Sequence, residues 1–277
     1  MKKLLSLGFV PLVAAPLCAI SCSQEKNSTD EIKWNLFLQR NYVKSLLKLV
    51  FKNDQNKIEE YIKSQREINL NEYQGKLKWS LLYASNTVLS LGFDGNFFSP
   101  RPVLLSEASQ NINELMSKNW LWYLYNLENF SFAYYPEFDK FESSTANSNN
   151  TLQENSLKLG SFYSPKTNNI IQFVTQEYEN ADDWKEYRVF FLTQEGFIIR
   201  LTVDGDPESN FSVNLSQYLY SYPDLIKDKE TLKSFSLQKY IQATQSFVDK
   251  PENRTEAILF QEKYGGKLLR YTLSDIL

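Results

Sequence analysis

The hydrophobic pattern of the chain changes its period near residue 128, and this change limits the folds that are available. Before it, apolar residues recur every three or four positions, which is the spacing of a helix with one buried face. After it, apolar and polar residues alternate, as they do in a half-buried strand. The order of the two patterns predicts an α+β fold, with N-terminal helices followed by a mainly antiparallel sheet with a further helix.

The bounds of these elements follow from the apolar runs and from the turn residues between them. The predicted helices are 30–51, a short one around Ile58, 71–91, 106–127 and 229–248. The predicted strands are 129–134, 157–163, 169–178, 186–194 and 196–204. Two turns that contain glycine predict hairpins. One is 194–196, and the other is Gly265-Gly266, between the apolar runs 257–260 and 268–271.

The N-terminus has the features of a targeting segment. Lys2 and Lys3 precede an apolar stretch that ends at Ala19 among small residues, an order typical of a secretory signal peptide. The stretch is too short, and too interrupted by proline, for a comfortable transmembrane helix. Its end, Ala19-Ile20-Ser21-Cys22, resembles a bacterial lipobox, in which the cysteine thiol receives a diacylglyceryl group and becomes the first mature residue. An ordinary signal peptide cleaved near Ala19 and an uncleaved anchor are the alternatives.

The sequence predicts that the chain has three parts. Residues 1–21 are a lipoprotein signal peptide, 22–29 are a polar tether, and 30–277 form a single α+β surface domain. For 22–29 the alternative is an ordered N-terminal arm. A sub-boundary near 95–106 or 143–156 would divide the domain in two.

The residue types that are missing exclude several kinds of chemistry. The chain has no histidine, which excludes Ser-His-Asp hydrolysis, histidine-ligated metal sites and histidine base catalysis. Cys18 would leave with the signal and Cys22 would carry the lipid, so no thiol remains for a disulfide, a nucleophile or a metal. The segment 204–208 resembles a fragment of a calcium loop, but it lacks the ligand spacing and predicts a β-turn. A formal net charge of -3 disfavours binding to nucleic acid. We therefore expect no catalytic residue, no cofactor and no metal site.

The densest feature of the sequence is a run of aromatic residues between 120 and 141. Ten of these 22 residues are aromatic, whereas the average of 15% over the whole chain would give about three. Burial in the core accounts for most of them. Trp122 and Tyr125 fall on the helix side opposite the core stripe, and Tyr135 points away from the strand face of its neighbours. We therefore expect Trp122, Tyr125 and Tyr135 to be exposed and to contact a partner. The alternative is that all three are buried.

Three features together resemble a known class of proteins. They are the signal end Ala19–Cys22, the histidine-free composition rich in Asn and Lys, and the aromatic run at 119–141. These features are similar to those of a mycoplasma surface lipoprotein, of the aromatic cluster surface protein group. The resemblance implies lipid anchorage, through palmitate-type acyl chains, to the extracellular face of the cell membrane. It brings no catalytic residue.

The leading hypothesis for function is a lipid-anchored, non-catalytic surface protein whose exposed aromatic cluster binds a host protein or a glycan. The first alternative is a structural or antigenic surface lipoprotein that has no ligand. The second is a histidine-independent carbohydrate-active enzyme, because paired carboxylates such as Glu59-Glu60 and Asp182-Asp183 occur in the chain.

Overall fold

The structure is a computed structural model that describes residues 30–91, 104–134, 162–179, 184–209, 211–249, 260–266 and 268–277. It divides into two units, Met1–Lys44 and Ser45–Leu277. In the described part of the first unit, the rings of Trp34 and Phe37 lie 5.8 Å apart. The suggested sub-boundaries fall mostly outside the described residues, and a single domain over 30–277 stays a prediction.

Nine α-helices lie in the described residues, and polar caps mark where some of them begin. They are α1 (30–38), α2 (Asn41–Val50), α3 (Gln55–Arg66), α4 (Leu70–Leu91), α5 (Leu104–Ser117), α6 (Trp120–Tyr125), α7 (Pro223–Lys227), α8 (Lys229–Ser234) and α9 (Leu237–Asp249). The Asp54 carboxylate accepts the backbone N–H of Lys57 at 3.2 Å at the start of α3. Asp228 caps α8 by accepting the N–H groups of Glu230 and Thr231. Such caps satisfy N–H groups that a helix leaves unpaired. Among the described helices, none combines the length and the apolar character needed to cross a membrane.

Three of the predicted helices are each divided in two. The breaks fall at 39–40, at 118–119 and at 235–236. At the second break, Asn119 donates from Nδ2 to the Tyr73 hydroxyl at 2.8 Å, so its side chain serves a tertiary contact. In each predicted helix the apolar residues continue across a two-residue break, so their spacing does not reveal it.

Seven strands in the described residues form one antiparallel sheet, which confirms the predicted α+β class. They are β1 (Phe130–Tyr134), β2 (Phe162–Tyr163), β3 (Ile170–Glu179), β4 (Lys185–Thr193), β5 (Ile198–Gly205), β6 (Ser212–Ser221) and β7 (Leu269–Ile276). Their order in space is β2-β1-β7-β6-β5-β4-β3, so the last strand in sequence lies between β1 and β6. β4 and β5 form the predicted hairpin at 194–196. Its Gly196 has a φ of 87°, which glycine adopts without strain.

The C-terminal part of the sheet differs from the prediction in two ways. The sequence predicts no strand at β6, which is a central strand of the sheet. The pairing passes from Leu201↔Leu215 to Ile199↔Leu219, so β6 has two residues more than β5 over this step. This bulge interrupts the alternation and hides the strand.

The predicted hairpin at Gly265-Gly266 is wrong. β7 pairs with β1 and β6, which occupy both of its edges. Phe260 lies in a helical turn, and 257–259 lie outside the described residues. The apolar run after the glycines therefore pairs with β1 and β6 and not with the run before them.

Apolar residues cover both faces of the middle strands. On one face, a cluster joins the sheet to α7, α8 and α9. Its strand members include Phe190, Leu192, Ile198 and Tyr220, and its helix members include Leu225, Leu232 and Tyr240. The alternate strand residues, such as Phe191 and Ile199, are also buried and point to the opposite face. A charged residue inside this two-sided sheet is therefore unusual.

Candidate functional site

Helix α6 places the densest part of the aromatic run in the interior of the protein. Its first five residues, Trp120–Leu124, are all buried. The Trp122 ring meets Tyr73 of α4 edge-on at 4.9 Å and Phe130 of β1 edge-on at 6.1 Å, measured between centroids. Only 4% of Trp122 is exposed. The prediction that Trp122 lies at the surface is therefore wrong.

The cause of this error is the length of the helix that carries Trp122. The prediction placed Trp122 on the outer side of one long helix, 106–127, with a single buried stripe. Instead, α6 has six residues, follows the break at 118–119 and contacts both α3 and α5. A helix that is apolar on all sides is buried on all sides.

The other predicted site residues have different outcomes. Tyr125 is half-buried at the end of α6, and its backbone carbonyl accepts a hydrogen bond from Asn168 Nδ2 at 2.7 Å. Tyr135 and Cys22 lie outside the described residues. Contact roles for Tyr125 and Tyr135, and lipid attachment at Cys22, stay predictions.

The buried aromatic cluster reaches the surface through Tyr61 of α3. The Tyr61 ring stacks on Trp120 at 5.1 Å and lies 5.0 Å from the Phe51 ring. Its hydroxyl donates to the carbonyl of Lys118 at 2.8 Å and accepts the N–H of Leu121 at 3.4 Å. Burial raises the pKa of Tyr61 well above its ordinary value, so the hydroxyl remains a donor. The ring is thus held in one orientation from both ends.

Tyr61 forms part of an open groove of about 470 Å³, which we call the aromatic groove. It is lined by Val50, Phe51, Lys57, Glu60, Tyr61, Ser64 and Phe211. The four α3 residues of the groove are spaced i, i+3, i+4 and i+7, so they share one side of the helix. Polar side chains therefore surround an aromatic floor. The volume lies within the range of about 300–1,000 Å³ that is usual for small-molecule sites.

Lys52 holds the loop that brings Phe211 to this groove. Its ammonium donates to the carbonyl of Asp206 at 3.3 Å and also to the carbonyls of Pro207 and Ser209. In the turn that resembles part of a calcium loop, the carbonyls of Asp206 and Pro207 therefore accept hydrogen bonds from the ammonium group of Lys52. Among the described residues, no group of three or more acidic or cysteine side chains is placed to hold a metal ion.

A second site lies on the sheet face that carries α9. The register pairs Arg188 of β4 with Thr202 of β5, and Arg200 lies two residues before Thr202. The guanidinium carbon of Arg188 lies 4.1 Å from the ring centroid of Tyr178, and that of Arg200 lies 4.0 Å from the centroid of Tyr220. Stacking on a ring face positions a guanidinium and leaves the N–H groups at its edge available to donate.

Arg200 is a largely buried charge with few partners. Its Nη2 donates to the Tyr240 hydroxyl at 3.3 Å, and its Nε is buried with no hydrogen-bond partner in the described part of the chain. None of the ion pairs between described residues includes Arg200. Burial acts to lower the pKa of Arg200, but the phenols of Tyr240 and Tyr220 raise the pKa above its ordinary value. The guanidinium therefore stays charged.

Both arginines line a cavity of about 280 Å³, which we call the arginine cavity. Its lining comprises Tyr178, Arg188, Phe190, Arg200, Leu201, Thr202 and Thr244. In the described part of the chain, the lining contains two cationic side chains and no carboxylate. Outside the lining, Glu186 Oε1 accepts from Arg188 Nε at 2.5 Å.

Neither the aromatic groove nor the arginine cavity was predicted from the sequence. A signal for the cavity does exist, because Arg200 interrupts the apolar run 197–201 and arginine is rarely buried in a strand. The groove has only a weak signal in the spacing on α3. Its Phe51 and Phe211 lie far apart in the sequence, and only the fold brings them together.

Comparison with known proteins adds one finding. A family model described as aromatic cluster surface protein matches residues 20–265. No curated protein matches the chain, and no solved structure matches it. The matched range includes Cys22, the aromatic run and all residues that line the two sites.

Proposed function

Because the chain belongs to the aromatic cluster surface protein family, we propose that it is a lipid-anchored, non-catalytic protein of the extracellular face that binds a glycan. Acyl chains on Cys22 hold it to the membrane. The aromatic groove takes the ligand. The observation that carries the binding role is the groove itself, with its fixed aromatic floor and polar rim.

The anchoring part of the proposal is supported by the sequence around Cys22. The small residue Ser21 precedes the cysteine, and Lys2 and Lys3 begin the apolar stretch before it. Each buried methylene of an acyl chain contributes about 0.8 kcal/mol, so two chains hold a protein firmly while one does not. A diacylglyceryl group therefore suffices as an anchor.

The two cysteines of the chain provide a matched test of anchoring. Cys22→Ser should abolish the incorporation of labelled palmitate and release the protein from the membrane fraction, whereas Cys18→Ser should leave both unchanged. Surface exposure is measured by protease treatment of intact cells. Label retained in Cys22→Ser, or protection of the wild-type protein from the protease, would contradict the anchoring proposal.

The binding part of the proposal rests on the chemistry of the groove. The half-buried rings of Phe51 and Phe211 offer apolar faces, which suit the C–H face of a sugar ring. Lys57, Glu60 and Ser64 at the rim are exposed, and between them they donate to and accept from sugar hydroxyl groups. Tyr61 needs no rearrangement, because its hydroxyl is already held. A rigid floor reduces the entropy that binding costs.

A glycan array with the full-length protein in detergent tests this role. Phe211→Ala removes one ring of the groove, and Ser64→Trp fills the groove with an exposed side chain. Either change should weaken binding about tenfold or more, because central aromatic contacts dominate interface energies. Phe162→Ala is the matched control, since Phe162 is 67% exposed and lies outside the groove.

The competing functions give different results in the same experiment. Binding to glycans that survives both groove variants would overturn the groove as the site. Retention of a host extracellular protein, with no glycan bound, would replace the glycan by a protein ligand. A folded, surface-exposed protein that binds neither would favour the structural or antigenic role.

A further inference from the structure

The arginine cavity is separate from the aromatic groove. The two linings share no residue. The cavity is formed by β3, β4, β5 and α9, whereas the groove is formed around α3 and the β5–β6 loop. Ligand binding in the arginine cavity therefore does not depend on the aromatic groove or on the glycan role proposed for the groove.

The charge of Arg200 is the first observation that points to a ligand. A guanidinium has five N–H donors, and that of Arg200 makes one hydrogen bond in the described part of the chain, to Tyr240. Removing a charge from water is costly unless the charge is paired. Ring faces compensate part of this cost, but the buried Nε has no acceptor among the described residues.

The second observation is the charge balance of the cavity. Arg188 shares one face with Arg200, and Glu186 is the carboxylate that pairs with Arg188. Glu186 does not line the cavity. Among the described residues, the lining holds two guanidinium groups and no carboxylate, and Glu186 and its register partner Asp204 lie outside it, in a protein whose formal net charge is -3. The local positive charge therefore favours a ligand with a negative charge.

The third observation concerns the shape and the neutral lining. Arginine binds a planar carboxylate through two parallel hydrogen bonds. Thr202 and Thr244 add hydroxyl groups, and Tyr178 and Phe190 add ring surface. A cavity of about 280 Å³ lies at the small end of the range of about 300–1,000 Å³ for ligand pockets. We propose that the arginine cavity binds a small organic carboxylate that also carries hydroxyl groups.

A titration of the full-length protein in detergent, followed by ligand-observed NMR, tests this proposal. Sodium glucuronate is the probe, because it joins a carboxylate to a ring of hydroxyl groups. Glucose is its neutral counterpart, and inorganic phosphate is an anion of different shape. We expect saturable binding of glucuronate, no binding of glucose at this cavity, and binding of phosphate that is at least about tenfold weaker, because phosphate has no carbon ring to pack against Tyr178 and Phe190.

Two variants assign the binding to this cavity. Arg188→Gln should weaken glucuronate binding about tenfold or more, and Arg200→Gln should abolish it. Because Arg200 is largely buried, its variant is interpreted only if its circular dichroism spectrum matches the wild type. If the spectrum of Arg200→Gln differs from the wild type, the effect of Arg188→Gln alone tests the proposal. Arg66→Gln, an exposed change of the same charge on α3, should alter the affinity by less than about twofold.

Three results would overturn the proposal. They are no saturable binding of glucuronate, equal affinity for phosphate and glucuronate, and equal weakening by Arg66→Gln and Arg188→Gln. Ser64→Trp in the aromatic groove should leave glucuronate binding unchanged. A failure at the groove and a failure at the cavity are therefore distinguishable.

Discussion

The ammonium group of Lys52 lies 4.4 Å from the ring centroid of Phe211, so the turn after α2 is tied to the end of the β5–β6 loop. Lys52 has a φ of 52°, in the left-handed region that is costly for a residue with a side chain. Its hydrogen bonds to the carbonyls of Asp206, Pro207 and Ser209 compensate for this cost. The position of Phe211 in the aromatic groove therefore depends on a lysine in another part of the fold.

Replacing Lys52 by methionine should destabilise the protein by about 1–2 kcal/mol. The change removes hydrogen bonds from a charged donor and a cation–π contact while it keeps most of the length of the side chain. Urea unfolding followed by circular dichroism measures the difference. Lys63→Met is the control, because the Lys63 side chain is 76% exposed and its pair with Glu67 at 3.8 Å should contribute less than about 0.5 kcal/mol. Equal effects of the two substitutions would show that Lys52 does not hold the loop.

Trp122→Ala should destabilise the protein by about 3–5 kcal/mol, because it leaves a cavity among closely packed rings. Trp122 contacts Tyr73 and Phe130 and is 4% exposed. Trp184 is 46% exposed, so Trp184→Ala should change the free energy of unfolding by less than about 0.5 kcal/mol. Urea midpoints of the two variants give the comparison. A small effect at Trp122 would contradict its placement in the core.

The contrast between these two tryptophans shows how far sequence periodicity reaches. The order of helices and strands was predictable, because each element carries several apolar residues at a regular spacing. The burial of Trp122 could not be predicted in this way, because it depends on a two-residue break before α6 and on the neighbouring helices α3 and α5 that enclose the short helix α6.

The two candidate sites were out of reach for a related reason. Arg188 and Arg200 share a site only because β4 and β5 pair in a particular register. Phe51 meets Tyr61 and Phe211 only after the β5–β6 loop is placed. One residue did carry a local signal. Arg200 within an apolar strand indicates a buried charge, although nothing in the sequence shows which ring or phenol holds it.

Alkaline pH should destabilise the protein, because several buried tyrosines resist ionisation. Burial raises the pKa of Tyr73 to about 12, and it raises the pKa values of Tyr61 and Tyr123 well above their ordinary value. An unfolded tyrosine ionises near pH 10. Above that pH the unfolded chain releases protons that the folded chain keeps, so the free energy of unfolding falls as the pH rises. The contribution of Tyr73 is complete below pH 10 and is lost progressively as the pH rises to about 12.

Urea unfolding between pH 8 and pH 11.5, with absorbance at 295 nm to follow phenolate, measures this loss. Each buried tyrosine contributes up to about 1.4 kcal/mol per pH unit in this window. Tyr73→Phe should therefore reduce the fall of the free energy of unfolding with pH by the contribution of one tyrosine. An identical free energy of unfolding at pH 8 and pH 11 in the wild type would refute the prediction.

Two glycine-to-alanine substitutions should have opposite effects on stability. Gly196 has a φ of 87°, and a Cβ added there would lie 2.5 Å from the backbone oxygen of Leu225. Gly196→Ala therefore needs a backbone shift in the β4–β5 turn and should cost at least about 2 kcal/mol.

Gly75 lies within α4, and an added Cβ there would meet no atom within 4 Å. Gly75→Ala should thus stabilise the protein by about 0.5–1 kcal/mol, since alanine loses less backbone entropy in a helix. Thermal and urea unfolding of both variants test the pair. A stabilising Gly196→Ala would mean that the turn does not press against α7, whereas a destabilising Gly75→Ala would mean that another surface covers this side of α4.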